Sequence, residues 1–172
     1  MRRLRYQVAT SLDGYIAGPH GEVDWIIQDP DINFGELFGT FDTAVMGRKT
    51  FAAMLGHGSS AMPGLDVVVY SSTIRPADHS EVTVVNTDAV KHIQSLKAKP
   101  GKDIWLFGGG TLFRTLLEAE VVDRVEPAVI PVLLGSGVPM LPAPYLKTML
   151  VLTKHRVYQK SGTMLLEYCI RY

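Results

Sequence analysis

The chain has 172 residues, of which 47% are hydrophobic and 20% are charged, a balance typical of a soluble globular protein. Its 17 Lys and Arg residues match its 17 Asp and Glu residues, so electrostatics gives no reason to expect a nucleic acid or an anionic membrane as partner. A single cysteine, Cys169, excludes an internal disulfide, and no apolar run is long enough to span a bilayer, so we expect a cytoplasmic protein.

The predicted elements alternate between strands and helices along the chain. A first strand over 4–10 is followed by the glycine-rich loop SLDGYIAGPHGEVDW and by a helix over 31–38, where apolar residues share one face. Further strands are predicted over 43–46, 66–70, 81–86, 104–107 and 124–134. Further helices are predicted over 51–55, over the segment after a cap at Asn86 or Thr87, and over 111–120.

The segment from Met149 to Tyr172 alternates around Lys160-Ser161-Gly162, which predicts a β-hairpin. Repeated strand–helix–strand units predict an α/β fold with a mostly parallel sheet flanked by helices, and this hairpin adds antiparallel strands at one edge. Pro127 and Pro131 fall inside the predicted strand 124–134, which indicates an edge position or a bulge there. No internal repeat or linker interrupts the pattern, so one domain is predicted over residues 1–172.

Three predicted strands end in residues suited to a phosphorylated ligand. They lead into Gly-Arg-Lys-Thr at 47–50, Ser-Ser-Thr at 71–73 and Gly-Gly-Gly-Thr at 108–111. Each has a structural explanation by itself, namely a solvated helix start, a simple turn and a tight strand-to-helix connection. Because ligands gather at the carboxyl ends of parallel strands, the three motifs together favour a cofactor that carries several phosphates.

Other common site signatures are missing. Phe113 stands where a Rossmann motif needs its third glycine, and Arg48-Lys49-Thr50 lacks the glycines of a P-loop. The five histidines are scattered without cysteine partners or helical spacing, so no metal site is predicted.

The motifs SLDGYIAG, MGRKTF, VVVYSST, IWLFGGGTLF and PVLLGSGVPML occur in an order that resembles the dihydrofolate reductase superfamily. Within it, the chain is similar to stand-alone bacterial proteins that resemble the reductase domain of the riboflavin-pathway deaminase-reductase. The resemblance covers nearly the whole chain. It implies a single dihydrofolate reductase-like domain, a twisted, mostly parallel sheet of about eight strands, and NADPH as the hydride donor.

The resemblance also implies cofactor roles at matching positions, and side chains at Gly109 or Gly110 are expected to occupy the cofactor's space. Gly47, Arg48, Lys49 and Thr50 would hold the pyrophosphate and 2′-phosphate side. Ser71 and Ser72 would meet the adenosine ribose and its 2′-phosphate, with Tyr70 beside the adenine. Gly108, Gly109, Gly110 and Thr111 would cradle the pyrophosphate, with Phe107 bordering the nicotinamide and the backbone of Ala9 and Ile16 contacting its carboxamide.

The substrate side rests on three further regions. The distance in sequence between Asp31 and Gly47 matches that of the family's proton-assisting acid, although a helix cap or first-turn acid after Pro30 explains Asp31 equally well. Trp25 and Phe34 would line the pocket. Asp13 either shapes the substrate pocket, as in riboflavin-type reductases, or serves as the turn residue of Asp-Gly.

One departure from the family bears on the substrate. Folate-reducing enzymes have an arginine after the Pro-Gly of this region, whereas Leu65 follows Pro63-Gly64 here. We therefore predict an NADPH-dependent reductase of a small heterocycle, a pterin or a ribosylaminopyrimidine. The prediction favours the riboflavin type, similar to a 5-amino-6-(5-phosphoribosylamino)uracil reductase, over a true dihydrofolate reductase. The zinc deaminase signature is missing, so a separate deaminase would have to supply a riboflavin-pathway substrate.

Two questions stay open at this point. A catalytically inactive or regulatory nucleotide-binding protein on the same fold is the alternative function. Relatives of the riboflavin type pair as dimers, and the apolar segments 151–157 and 165–170 fit either a homodimer contact or an ordinary core.

Overall fold

The computed structural model describes residues 1–145 and 147–172, which form an eight-stranded sheet, a two-stranded sheet and four α-helices. The strands are β1 (Leu4–Ser11), β2 (Tyr15–Ala17), β3 (Phe41–Gly47), β4 (Asp66–Tyr70), β5 (Thr83–Val85), β6 (Asp103–Gly108), β7 (Arg124–Ile130), β8 (Val138–Pro139), β9 (Met149–Val157) and β10 (Met164–Arg171). The helices are α1 (Phe34–Phe38), α2 (Arg48–Gly56), α3 (Ala89–Ala98) and α4 (Gly110–Glu118).

The large sheet has the order β5-β4-β3-β6-β1-β7-β10-β9, and β2 pairs with β8 in the small one. Strands β5, β4, β3, β6, β1 and β7 are parallel to one another, while β10 is antiparallel to both β7 and β9. The predicted α/β class, the mostly parallel sheet and the C-terminal antiparallel hairpin are therefore confirmed. Among the described residues, no helix is long and apolar enough to cross a membrane.

One face of the sheet is closed by α3 and α4. Inward residues of β1 and β6 alternate along the strands, and Tyr6 stacks on Phe113 of α4 with ring centroids 3.9 Å apart. This apolar cluster contains Leu4, Tyr6, Val45, Val68, Ile93, Ile104, Leu106, Phe113, Leu116, Leu117, Val121, Val122 and Val125.

The opposite face is covered by α1 and α2 over β3, β4 and β6. Phe51 of α2 packs with Met46, Val67 and Val69, and Trp105 of β6 packs with two phenylalanines, Phe38 and Phe41. Over β1 and β7 this face carries polar side chains, Arg5, Gln7 and Glu126. The two faces therefore differ in chemistry.

The predicted helix over 31–38 begins too early in the chain. The side chain of Asn33 caps α1 by accepting from the N–H of Glu36, so the helix begins at Phe34. Before it, the chain makes a turn in which Ile32 N–H donates to the carbonyl of Asp29. The predicted cap of α3 is also wrong, because Asp88 accepts from the backbone N–H of Val90 and Lys91 there.

Pro127 corrects part of another prediction. It lies in an interior strand, where it is in register with Val8 of β1, so the edge position is wrong. On its other side the β7–β10 pairing skips from Leu165 to Tyr168 without a change of register. The ladder thus opens opposite the residue that has no N–H to donate. The strand also ends at Ile130, which leaves Pro131 outside it.

Candidate functional site

Three loops converge at the carboxyl edge of the sheet. Gly47 at the end of β3 is in register with Tyr70 of β4, and Met46 beside it is in register with Gly108 of β6. The segments 47–50, 70–73 and 108–111 therefore lie next to one another. The sequence motifs that suggested phosphate binding are brought together by the strand order, as the parallel-sheet argument expects.

Two helices begin at this edge without a side-chain cap. Gly47 caps α2 and Gly109 caps α4, and neither supplies a side-chain acceptor. The first backbone N–H groups of both helices are thus available to an anion, aided by the helix dipole. Arg48 and Lys49 are exposed at the start of α2, and neither forms an ion pair within residues 1–145 and 147–172.

The glycines 108–110 have different neighbours. A Cβ added to Gly108 or Gly109 would lie 3.4 or 3.2 Å from the Thr50 hydroxyl, so these two glycines bring the loop against α2. Gly108 also has a φ of +150°, which side-chain-bearing residues rarely adopt.

Gly110 changes one sequence-based explanation. A Cβ at Gly110 would lie 2.6 Å from the carbonyl oxygen of Pro139 and 2.8 Å from that of Met140. The glycine is therefore required by the chain's own backbone, whether or not a cofactor is bound. The expectation that a Gly110 side chain would meet the cofactor is replaced by this packing reason.

The Ser-Ser-Thr motif divides into one buried and one exposed serine. The Ser71 hydroxyl is buried and accepts from the N–H groups of Thr73 and Ile74, which closes a local turn. Ser72 is exposed at the edge. The Tyr70 hydroxyl lies 2.8 Å from Nδ1 of His92 on α3, and burial raises the pKa of Tyr70. Burial also lowers the pKa of His92, with a contribution from Lys99.

The remaining predicted cofactor contacts lie along β1, β2, β6 and α4. Ala9 is in register with Ala128 of β7, and Ile16 is in β2; both are partly buried. Phe107 of β6 packs edge-on against Trp105 at 4.9 Å, and Thr111 is exposed in the first turn of α4.

Asp31 lies outside α1 and points toward the C-terminal hairpin. Its carboxylate accepts a hydrogen bond of 2.8 Å from Nζ of Lys160, and about half of its side chain is exposed. The hydrogen bond and the charge of Asp31 raise the pKa of Lys160. The helix-cap explanation of Asp31 is excluded by Asn33, while its proposed role with substrate stays a prediction.

Asp29 is a buried acid that the sequence analysis missed. It is 1% exposed, and its carboxylate accepts from the backbone N–H of Ser161 at 2.8 Å and of Asp31 at 2.9 Å. Burial opposes ionisation, but these hydrogen bonds and the charge of Lys160 outweigh it and lower the pKa of Asp29. Asp29 thus ties the segment before α1 to the turn between β9 and β10, a long-range contact with no local sequence signal.

Phe34 and Trp25 are the two aromatic residues predicted for the substrate pocket. Phe34 begins α1, is 38% exposed, and stacks on Phe38 at 5.7 Å. Phe38 in turn stacks on Trp105 at 4.7 Å. Trp25 is partly buried, and its indole N–H donates to the carbonyl of Glu22. Phe34, Phe38 and Trp105 thus form one aromatic wall beside the sheet.

Asp13 fastens the turn after β1 to another loop. Its carboxylate accepts from the Ser11 hydroxyl at 2.6 Å and from the backbone N–H of Leu134 and Gly135. The Ser11 hydrogen bond, with those two backbone bonds, lowers the pKa of Asp13 to about 2. Gly14 has a φ of +88°, as an Asp-Gly turn requires. The turn explanation therefore fits, and the substrate role stays a prediction.

A buried polar group on β1 and β7 is the second feature that the sequence analysis missed. Arg5 donates to both carboxylate oxygens of Glu126, each at 2.8 Å, and lies 4.6 Å above the ring of Phe41. Burial alone would lower the pKa of Arg5, but the hydrogen bond and charge of Glu126, together with the charges of Asp103 and Glu167, outweigh it and raise the pKa. Gln7 donates to the same carboxylate at 3.4 Å. Strand alternation could place these residues on one face, but their partners depend on the β1–β7 register.

Within the described part of the chain, no group of three His, Cys, Asp or Glu residues could hold a metal ion. The residues at the carboxyl edge instead combine backbone N–H donors, hydroxyls and cations. This donor set suits phosphate groups.

A family model described as the RibD C-terminal domain matches residues 2–165. The chain belongs to this family. It is 34% identical to the uncharacterized protein YyaP of Bacillus subtilis (strain 168), with 81% of this chain and 80% of that protein covered. It is 31% identical to the uncharacterized protein YwjB of the same organism, over 81% of this chain and 82% of that one.

Solved structures of similar fold include reductases. A putative riboflavin biosynthesis protein from Shewanella sp. PV-4 is 27% identical, has a TM-score of 0.84 and is covered in full, as is this chain. Dihydrofolate reductase from Enterococcus faecalis, solved with NADP(H), has a TM-score of 0.72 at 21% identity, with 99% of this chain and 97% of that one covered. The predicted superfamily, its riboflavin-type branch and the fold are thereby confirmed.

Proposed function

We propose that this protein is an NADPH-dependent reductase that transfers a hydride to a small heterocyclic substrate. The observation that carries the proposal is the convergence of the segments 47–50, 70–73 and 108–111 at one sheet edge. Membership of the RibD C-terminal domain family and the reductase-like fold support it. The pterin and ribosylaminopyrimidine classes remain the proposed substrates, with the riboflavin type ahead of folate, and residues 1–172 are proposed to act as one domain.

The donor set at this edge fits a dinucleotide phosphate. The free N–H groups at the starts of α2 and α4 would bind the pyrophosphate, with Thr50 and Thr111 beside them. Arg48 and Lys49 would bind the 2′-phosphate, with Ser72. When bound, NADPH would supply the hydride. The chain would hold the two ring systems between Phe107, Ala9 and the aromatic wall of α1, which lowers the entropic part of the barrier.

Asp31 is the proposed proton source for the reduced substrate. In the structure it is paired with Lys160, so it would have to turn from the hairpin toward the pocket. We expect Asp31→Asn to lower kcat by about 10²-fold or more and to leave NADPH affinity unchanged. The measurement is NADPH oxidation with dihydropterins, ribosylaminopyrimidines and quinones, with Asp24→Asn as a control in the same loop. Unchanged turnover in Asp31→Asn would remove it from the mechanism.

The cofactor assignment is tested by comparing NADPH with NADH. Arg48→Ala should weaken NADPH by about 10-fold or more, because a charged hydrogen bond contributes roughly 1.5–3 kcal/mol, and should change NADH little. Fluorescence titration measures both, and Arg3→Ala, at the exposed opposite end of β1, is the control. Equal loss for both cofactors would contradict the phosphate contact.

The exposed position of Asp31 favours a second candidate function, a nucleotide-binding protein without turnover. It shares the cofactor site and predicts NADPH binding with no oxidation of NADPH by any of the substrates above. The turnover experiment therefore separates the two functions.

A homodimer is a further part of the proposal. The C-terminal hairpin exposes five large apolar side chains, those of Met149, Leu150, Leu152, Val157 and Met164. Sedimentation equilibrium tests it, with Leu152→Lys expected to shift the protein toward the monomer.

A further inference from the structure

The side-chain carbonyl of Gln7 is a buried acceptor with no donor. Gln7 lies in β1 and is 6% exposed. Its Nε2 donates to Oε2 of Glu126 at 3.4 Å, while its Oε1 has no hydrogen-bond partner among residues 1–145 and 147–172. Buried polar atoms in folded proteins are nearly always paired, so an acceptor of this kind calls for an explanation.

The orientation of the Gln7 amide is fixed by its neighbour. The carboxylate of Glu126 is held by two hydrogen bonds of 2.8 Å from Arg5 and can only accept. The amide must therefore present its NH₂ group to Glu126 and its oxygen away from it. The indole N–H of Trp105 donates to the backbone carbonyl of Gln7 at 2.9 Å, which fixes the strand at the same residue.

Gln7 lies on the face of the sheet that also carries Ala9 and Phe107, two of the proposed cofactor contacts. Toward the carboxyl edge of the sheet, the next pair of residues on this face is Ala9 with Ala128, and both are partly exposed. On the neighbouring strand Phe107 is also partly exposed. Two methyl groups beside an aromatic ring make a shallow strip, which ends at the buried polar pair Gln7 and Glu126. The Gln7 amide oxygen is buried at the inner end of this strip, so a flat ring on the strip would have to move its neighbours aside to reach it.

We propose that the Gln7 side-chain carbonyl binds an N–H donor of the heterocyclic substrate and so selects rings that carry an amide-type N–H. The inference rests on the proposed reductase function and names the chemical group of the substrate, a ring N–H, that this site recognises. This acceptor discriminates because a ring with the donor gains a hydrogen bond that a ring without it cannot make. Pyrimidinones and pteridinones carry such N–H groups, whereas quinones and N-methylated rings do not.

Two fluorescent pteridines test the proposal. Lumazine carries ring N–H groups, and 1,3-dimethyllumazine has none. Each is titrated into the full-length protein saturated with NADPH, for the wild type, for Gln7→Met, and for the control Gln94→Met on the exposed side of α3. Methionine keeps the length of the side chain and removes the amide. We expect the wild type and Gln94→Met to bind lumazine at least 10-fold more tightly, and Gln7→Met to bind both compounds alike.

A preference that persists in Gln7→Met would overturn the proposal, because it would come from the bulk of the methyl groups. Failure of the wild type to bind lumazine would overturn it as well. In both cases the NADPH titration of the same samples reports on the reductase proposal separately. Loss of NADPH binding would remove the reductase proposal, and retained NADPH binding would confine the failure to Gln7.

A second measurement covers a Gln7→Met variant that does not fold. The chain has four glutamines and two asparagines, and all of them except Gln7 are exposed. Substituting Gln28, Gln94, Gln159, Asn33 and Asn86 one at a time therefore assigns the ¹⁵N side-chain amide signal of Gln7 by elimination. In wild-type protein, lumazine should shift the Gln7 signal and 1,3-dimethyllumazine should not. Equal shifts, or none with lumazine, would contradict the proposal.

Discussion

The two faces of the central sheet are built from the same strands with different chemistry. Under α3 and α4, β1 and β6 contribute only apolar or aromatic side chains, such as Tyr6 and Leu106, to one continuous cluster. On the opposite face, the alternate residues of β1 and β7 are Arg5, Gln7 and Glu126, and the ring of Phe41 packs against Arg5. The first face has every feature of a core that stabilises the fold.

The second face carries a cost that stability alone does not explain. A buried ion pair is often no more stabilising than apolar residues of the same size, and an unpaired buried acceptor is destabilising. Burial of these groups next to the proposed site therefore indicates recognition. The contrast predicts that changes on the two faces separate stability from ligand selection.

The largest effect is expected from breaking the ion pair between Arg5 and Glu126 on the polar face. Arg5→Met leaves Glu126, which is 1% exposed, as an unpaired buried anion. The free energy of unfolding should fall by about 3–5 kcal/mol, measured by urea denaturation. The double variant Arg5→Met/Glu126→Leu should recover most of the loss, because it removes the charge as well. If the free energy of unfolding of Arg5→Met stays within about 1 kcal/mol of the wild type, other groups must stabilise the charge of Glu126.

A substitution on the face under α3 and α4 should change the stability of the protein and leave its ligand selection unchanged. Leu106→Ala removes a fully buried side chain from the cluster under α3 and α4 and should cost roughly 2–4 kcal/mol by denaturation. Its preference for lumazine over 1,3-dimethyllumazine should equal that of the wild type. A changed preference would mean that the two faces are coupled through β6.

The smallest effect is expected at Asp13, whose carboxylate is exposed, in contrast to that of the buried Glu126. The pKa of Asp13 is about 2 in the folded protein, below the ordinary value of about 3.9, so its hydrogen bonds stabilise the fold above about pH 4. That contribution is lost as the pH falls toward 2. Asp13→Ala should therefore lower the urea midpoint at pH 7 and match the wild type near pH 2. An equal difference at both pH values would exclude the ionised form as the cause.

The sequence predicted the parts of this structure that depend on local order. The β-branched apolar run DVVVY predicted the strand over Asp66–Tyr70, and the strand-end motifs predicted the converging loops. It failed where one residue's partner is far away in the chain. Asp31 pairs with the distant Lys160, and Asp29 is buried against the distant Ser161.

The polar face shows the same limit. Arg5 and Glu126 are 121 positions apart, and only the β1–β7 register makes them partners. Pro127 predicts an edge or a bulge because of its place inside a predicted strand. The structure instead places it in an interior strand and leaves a gap in its pairing with β10, which depends on the order of strands in the sheet.

The close packing at Gly110 limits how this protein could be redesigned. The carbonyls of Pro139 and Met140 leave no space for a methyl group, and β8, which contains Pro139, pairs with β2. An attempt to change cofactor preference should therefore vary Arg48, Lys49 and Ser72, whose side chains are free to differ. Gly110 should be kept, because a substitution there would disturb the junction between α4 and the β2–β8 pair before it altered any contact with a nucleotide.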